Sequence, residues 1–184
     1  MTDIIQIYLE RYKVLSPEIS DEELIFVKNN LTVTELGKNT FYLEAGKVQK
    51  DMGFIFCGLI RAFYIDHNGD EITMGFIKEN EYVTHYSSFS EQQPSRYSFQ
   101  CLEECKIINL PYGKMIEGIA TYKNLERYAR VFKERVTDLQ QNRIESLLYE
   151  NAEQRYLNFI NKHPELFNRI SLTHLASFLG IGRQ

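Results

Sequence analysis

The hydrophobic positions of this chain change period twice. Over residues 3–14 and 20–30 they recur at helical spacing, and Ser20 with Glu23 supplies the two halves of a capping box ahead of Leu24, Ile25 and Val27. From about residue 32 to 110 the period shortens to two: Leu31, Val33; Phe41, Leu43; Phe54, Phe56; Ile60, Ala62, Tyr64; Ile72, Met74, Phe76; Tyr97, Phe99, Cys101; and Ile107. Gly37, Gly46, Gly53 and Gly58 punctuate these runs. The Asn68-Gly69 pair suits φ > 0 at both central positions of a hairpin. Many short strands with regular turns predict an antiparallel barrel or roll. After Pro111 the helical period returns and holds to about residue 149.

Within that last helix, Tyr122, Ala129 and Val136 take one heptad position while Leu125, Phe132 and Leu139 take the other, an unbroken apolar seam. Arg143 and Ser146 break the register and the stripe moves to Ile144, Leu147 and Leu148, which puts a hinge near Arg143. The seam is shorter than the roughly three to four heptads that define a coiled coil, so it fits either a dimer contact or a core helix packed inside one chain. Asn151 with Gln154 caps a further helix ending at His163-Pro164, and a linker, ELFNRI, follows. In SLTHLASFLGIGRQ, Ser171 is an N-cap. Leu172, Leu175, Ala176 and Leu179 recur at i, i+3, i+4 and i+7, and Gly180 makes a turn. This fits the first helix and turn of a helix-turn-helix, or simply the end of an amphipathic helix.

Composition narrows the chemistry. The formal charge of −4 argues against a chain that coats nucleic acid, and Arg155, Lys162, Arg169 and Arg183 are nearly balanced by Glu150, Glu153 and Glu165. Cys57, Cys101 and Cys105 form neither a disulfide framework nor a metal quartet, which suits a reducing cytoplasm. Charges inside MTDIIQIYLERYKVL exclude a signal peptide or membrane span there. No two histidines have the i, i+4 spacing of a zinc pair, and no nucleophile elbow, P-loop or dinucleotide fingerprint is present. His67 and His163 read as solvent-facing, His174 as the solvent side of its helix, and Glu22-Glu23 and Glu103-Glu104 as solvated faces. No catalytic residue, metal or cofactor is expected, and the chain is not read as an enzyme.

Four local patterns carry a resemblance: F-x-x-x-x-G at Phe41 to Gly46, G-x-x-R at Gly58 to Arg61, the hairpin Asp66-His67-Asn68-Gly69-Asp70-Glu71, and Pro94-Ser95-Arg96 before Tyr97-Ser98-Phe99. With the element order, they resemble the Crp/Fnr superfamily of transcription regulators, and Arg155 to Ile181 is similar to the C-terminal domains of its Bacteroidetes-type branch. The resemblance implies an α+β fold. An antiparallel roll (a double-stranded β-helix or jelly roll of cyclic-nucleotide-binding type) occupies residues 1–118 with its helical preface. A dimerisation helix follows at 119–149 and a small, partial winged-helix domain at 150–184. It also implies a cytoplasmic homodimer that binds DNA and takes a small-molecule or anionic effector, with no membrane role. The DNA-binding scaffold falls on Ser171, Thr173, His174, Ala176, Gly180 and Arg183. A recognition helix would begin near Gly182 or Arg183 and needs roughly two to three more turns, so the chain as given is expected to bind operator DNA weakly or not at all.

In that superfamily a Gly-Glu pair meets the ribose of a cyclic nucleotide, and an Arg-Ser pair about ten residues later meets the phosphate. Here these positions hold Thr84-His85 and, in reversed order, Ser95-Arg96, with Tyr82, Tyr86 and Phe89 adding aromatic bulk. The ribose carboxylate is missing, so cyclic AMP is not expected to bind. Two readings stay open: Arg96 holds another anion, or the roll fills its own pocket. The superfamily's iron-sulfur chemistry lacks its N-terminal cysteines, and His85 is a lone candidate haem ligand. A rival to the regulator is a ligand-binding or protein-interaction module without DNA binding.

Overall fold

The computed structural model describes residues 4–181. Two helices open it, α1 (Ile4–Leu15) and α2 (Asp21–Asn29), the second closed by the expected box: Glu23 N–H donates to Ser20 Oγ, and Ser20 N–H to the Glu23 carboxylate. Eight strands follow: β1 (Thr32–Leu36), β2 (Phe41–Leu43), β3 (Asp51–Cys57), β4 (Ile60–Ile65), β5 (Glu71–Ile77), β6 (Tyr82–Val83), β7 (Ser98–Cys101) and β8 (Cys105–Pro111), with a short α3 (Tyr86–Glu91) between β6 and β7. They form two antiparallel four-stranded sheets, ordered β1-β8-β3-β6 and β2-β7-β4-β5. Inward residues at period two, among them Ile55, Ile60, Val83, Phe99, Cys101, Cys105 and Ile107, make the core between the sheets. The expected α+β roll is the observed fold.

The hairpin between β4 and β5 differs from expectation. Only Gly69 has positive φ, at 88°, because Asp66 closes a three-residue loop. Its carboxylate accepts from the N–H groups of Asn68 and Asp70, and its C=O accepts from Gly69 N–H. A type I turn followed by one left-handed glycine satisfies the same twist as two positive-φ residues.

The region read as one helix after Pro111 is two: α4 (Tyr112–Thr121) and α5 (Lys123–Tyr149), parted at Tyr122, which is extended at φ −121° and ψ 120°. Glu23 makes the corner. It is 4 % exposed, not part of a solvated face, and accepts from both the N–H and the side-chain amide of Asn124 at the start of α5. A second core, built on Tyr8, Leu9, Tyr12, Leu24, Val27, Phe54, Ile108, Leu125 and Tyr128, lies between the first sheet and these helices. The chain finishes with α6 (Ala152–Lys162), capped by Asn151 and Gln154 as expected, a single 3-10 turn (Pro164–Leu166), and α7 (Leu172–Leu179). ELFNRI is therefore not a free linker: its Leu166 is 2 % exposed in a third core with Leu59, Phe159, Leu175 and Leu179.

Candidate functional site

The cassette from Thr84 to Arg96 is largely engaged with itself. Ser95 is 2 % exposed; its hydroxyl donates to the Tyr97 carbonyl at 2.9 Å and accepts from Tyr97 N–H at 3.0 Å. Its backbone pairs with Lys47 O and Gly46 N–H, an approach that Gly46 permits with φ at 85°. His85 meets Ser88 Oγ at 2.8 Å through Nδ1 and Ser87 Oγ at 3.1 Å through Nε2, and its ring rests on Tyr97 with centroids 4.3 Å apart. Burial first, and then the nearby Arg96 charge, hold its pKa below the ordinary imidazole value, which favours the neutral ring. Arg96 is exposed, and Thr84 Oγ1 is buried without a partner.

Phe89 is fully buried and meets Tyr112 edge-on at 5.3 Å. The buried Gln49 donates to the carbonyls of Asp51 and Val83. The four expected residues lie along one segment in which the Ser95 hydroxyl is spent on Tyr97 and Arg96 is the exposed member.

Two cavities lie elsewhere. One, about 290 Å³, opens beside Tyr42, Gln49, Asp51 and Asn109, where Tyr42 donates to Asn109 Oδ1 at 2.9 Å. The other, about 70 Å³, lies under α5 and is edged by five tyrosines, Tyr8, Tyr12, Tyr82, Tyr86 and Tyr128. Neither is lined by Thr84, His85, Ser95 or Arg96. Sequence reading noticed Tyr82 and Tyr86 but had no signal joining them to Tyr8, Tyr12 and Tyr128, which belong to helices far away along the chain.

The seam residues divide at mid-helix. Tyr122 tilts onto Phe26 at 5.3 Å, Leu125 is 7 % exposed, and Phe132 meets Tyr82 at 4.8 Å, so this half packs within its own chain together with half-buried Ala129. Beyond it the ribbon emerges: Val136 is half-buried and Leu139 is 69 % exposed. α5 runs unbroken through Arg143, so the shift in the apolar stripe there is not a break in the helix. The helix stops at Glu150, which is extended. Arg143 instead stacks over Phe178 at 4.1 Å and donates to the Phe178 carbonyl.

Residues 33–122 match the cyclic nucleotide-binding domain family. That match spans the roll from β1 through β8 and on to Tyr122. No curated protein matches the chain. Among solved structures that share the fold, FixK2 from Bradyrhizobium japonicum superposes with a TM-score of 0.69 at 10 % identity over 82 % of this chain and 78 % of its own. The catabolite activator protein of Thermus thermophilus gives 0.61 at 15 % identity, over 91 % and 80 %. CLP of Xanthomonas campestris, described as a c-di-GMP responsive global regulator, gives 0.66 at 12 % identity, over 89 % and 86 %. These neighbours are Crp/Fnr-type regulators, and at such identities the likeness is one of fold.

The roll grips the C-terminal segment through its β4–β5 side. Gly58 (φ 106°) lies where a Cβ would meet Glu104 O at 2.5 Å, so only glycine fits there without displacing β8. Its N–H donates to Glu79. Glu79 and Glu103 together hold the Arg169 guanidinium through four hydrogen bonds of 2.7–3.0 Å, so Glu103 is not a solvated acid. Arg61, 2 % exposed, donates to Thr73 Oγ1 at 2.8 Å and to Glu71 at 2.5 Å. Lys78 pairs with Glu165.

Along α7, Ser171 caps through His174 N–H and Gly180 ends the helix at φ 64°. Ser177 Oγ accepts from Thr73 N–H at 2.9 Å and donates to Glu71 O at 3.1 Å, so α7 is bonded directly to β5. That contact reverses part of the expected amphipathic face. His174 is half-buried toward Arg61 and Glu71, Ala176 is half-buried, and Leu172 is 73 % exposed. His163 is likewise half-buried, its ring 5.4 Å from Phe159, whereas His67 is exposed as expected. Thr173 is exposed on α7, and Arg183 and Gly182 lie outside the described residues. Among the described residues, no group of three or more His, Cys, Asp or Glu could hold a metal ion and no helix is long and apolar enough to cross a membrane.

Proposed function

We propose that the chain is a Crp/Fnr-type transcription regulator of the cytoplasm and not an enzyme. Residues 1–118 are its sensor, 119–149 its dimerisation helix and 150–184 its helix-turn-helix segment. The observation that carries this reading is the course of α5, whose apolar ribbon leaves its own core at Val136, exposes Leu139, and continues unbroken to Tyr149. A second copy pairing along that ribbon would form a homodimer with a C-terminal segment on each side. Two such heads suit half-sites about 34 Å apart, and DNA is the partner in this reading.

The effector is not cyclic AMP. Thr84 and His85 stand where a glycine and a ribose-binding acid are needed, and the Ser95 proton is committed to Tyr97. Calorimetry of the full chain with cyclic AMP is expected to give no binding heat at millimolar nucleotide; saturable micromolar binding would overturn this part of the reading. Arg96, exposed and beside His85, is the group in the cassette suited to an anionic effector. The docking of α7 on β5 favours a second reading, a ligand or protein-interaction module whose terminal helix serves the roll and not DNA.

A further inference from the structure

The inward face of the first sheet changes character along its length. It is apolar at Ile55, Cys105 and Ile107, and on the same face of the strands it turns polar at Asp51 of β3, Asn109 of β8 and Thr34 of β1. Polar side chains at inward positions oppose burial unless something satisfies them, and these border the cavity of about 290 Å³. Gly53 belongs to the same arrangement. A Cβ there would meet Tyr42 Oη at 2.6 Å, so the glycine admits the phenol that reaches across from β2. Counting protons shows which groups the cavity leaves open. Asn109 spends both amide protons, on Thr34 Oγ1 at 3.0 Å and the Ile107 carbonyl at 3.3 Å, and its Oδ1 takes the Tyr42 proton at 2.9 Å. Among the described residues nothing takes the Thr34 proton and nothing donates to the Asp51 carboxylate. Lys50 and Asp51 both lie on the cavity wall, and neither forms an ion pair with a described residue. Burial lifts the Asp51 carboxyl above its ordinary pKa, with the Lys50 charge pulling the other way.

We propose that this cavity binds a free α-amino acid with a branched aliphatic side chain. The ligand's ammonium meets the Asp51 carboxylate, and its carboxylate meets the Lys50 ammonium and the Thr34 hydroxyl. Its side chain lies against the apolar part of the wall, Leu36, Leu43 and Val48. One charge of each sign stands open, which a zwitterion matches and a simple amine or acid matches only by half. The volume holds about ten waters at ~30 Å³ each, and so a compound of about nine or ten heavy atoms, the size of leucine. Thr84, His85, Ser95 and Arg96 take no part in the lining. The site deepens the reading of the roll as a sensor and rests on it only for its regulatory meaning.

L-Leucine and two analogues test the assignment by NMR titration of the ¹⁵N-labelled full chain. 3-Methylbutylamine keeps the side chain and the ammonium, and 4-methylpentanoate keeps the side chain and the carboxylate. Leucine is expected to shift the amide signals of Thr34, Asp51 and Asn109 saturably, and each analogue to bind at least ~tenfold more weakly. Asp51→Asn keeps the shape, removes the charge, and is expected to weaken leucine binding by at least ~tenfold. Lys50→Met, at an exposed position, does the same from the other charge should Asp51→Asn lose its near-ultraviolet circular dichroism. Unsaturable leucine shifts, an amine or acid that binds as tightly as leucine, or undiminished binding in a folded variant would overturn the site. Sedimentation of the same samples separates the two ideas: a monomer that binds leucine supports the site and contradicts only the regulator reading.

Discussion

Arg169 shows how much of this molecule's cohesion rests on single side chains. Its guanidinium spans Glu79 and Glu103, and none of the three side chains is more than 34 % exposed. Removing it strands two partly buried carboxylates, so Arg169→Ala is expected to cost about 1–2 kcal/mol by thermal or denaturant unfolding, after allowance for solvent screening. For Glu79, burial works upward on the pKa, but the hydrogen bonds from Arg169 and from backbone N–H groups outweigh it and leave the carboxyl below its ordinary 4.5. Its stabilisation is therefore present above that value and lost as pH falls through the lowered one. The gap between Arg169→Ala and the unsubstituted protein should accordingly narrow in acid.

Histidines give the opposite group type with a similar outcome. Burial first, then the positive charge of Arg61, lowers the pKa of His174 below 6.5. The unfolded chain takes up its proton first, so stability falls as pH drops below about 6.5 until the folded value is reached. Melting followed by circular dichroism is expected to show a lower midpoint at pH 5.5 than at pH 7.5, with a smaller fall in His174→Gln.

At the scale of elements, what was local in the sequence was legible. Both capping boxes, Ser20/Glu23 and Asn151/Gln154, need partners only three residues apart, and both form. The strands were legible for the same reason, since period-two burial is written within each run. What failed was set by partners distant in sequence. Tyr122 looks like any helical residue until Asn124 is pulled onto Glu23, 101 positions earlier, and the helix parts there. Leu172 and His174 exchanged roles because β5, which nothing near them in sequence announces, bonds to Ser177. The effector cassette was legible as a departure from a pattern, whereas the tyrosine cleft, drawn from α1, β6 and α5, was not. Ser177→Ala leaves Thr73 N–H unsatisfied beneath α7. Faster amide hydrogen exchange at Thr73 and along α7 is expected, with β8 unchanged; uniform exchange across the protein would contradict a local tie.

On the scale of the whole molecule, three cores are stacked along one chain: helices on the first sheet, the interior of the roll, and the C-terminal segment on the β4–β5 side. α5 crosses from the first to the third, through Tyr128 at one end and Arg143 over Phe178 at the other. Tension between copies along the ribbon would thus be felt both at the tyrosine cleft and at α7. The tether works only if the ribbon's exposed half meets a partner. Leu139 tests this best, because at 69 % exposure its replacement leaves the protomer's own packing intact, whereas Phe132 is shared with Tyr82. Sedimentation equilibrium of the unsubstituted chain and of Leu139→Asp is the direct measurement. The account predicts a dimer for the first and a monomer with unchanged melting for the second; a monomeric unsubstituted chain, or a dimer that survives the aspartate, would contradict it.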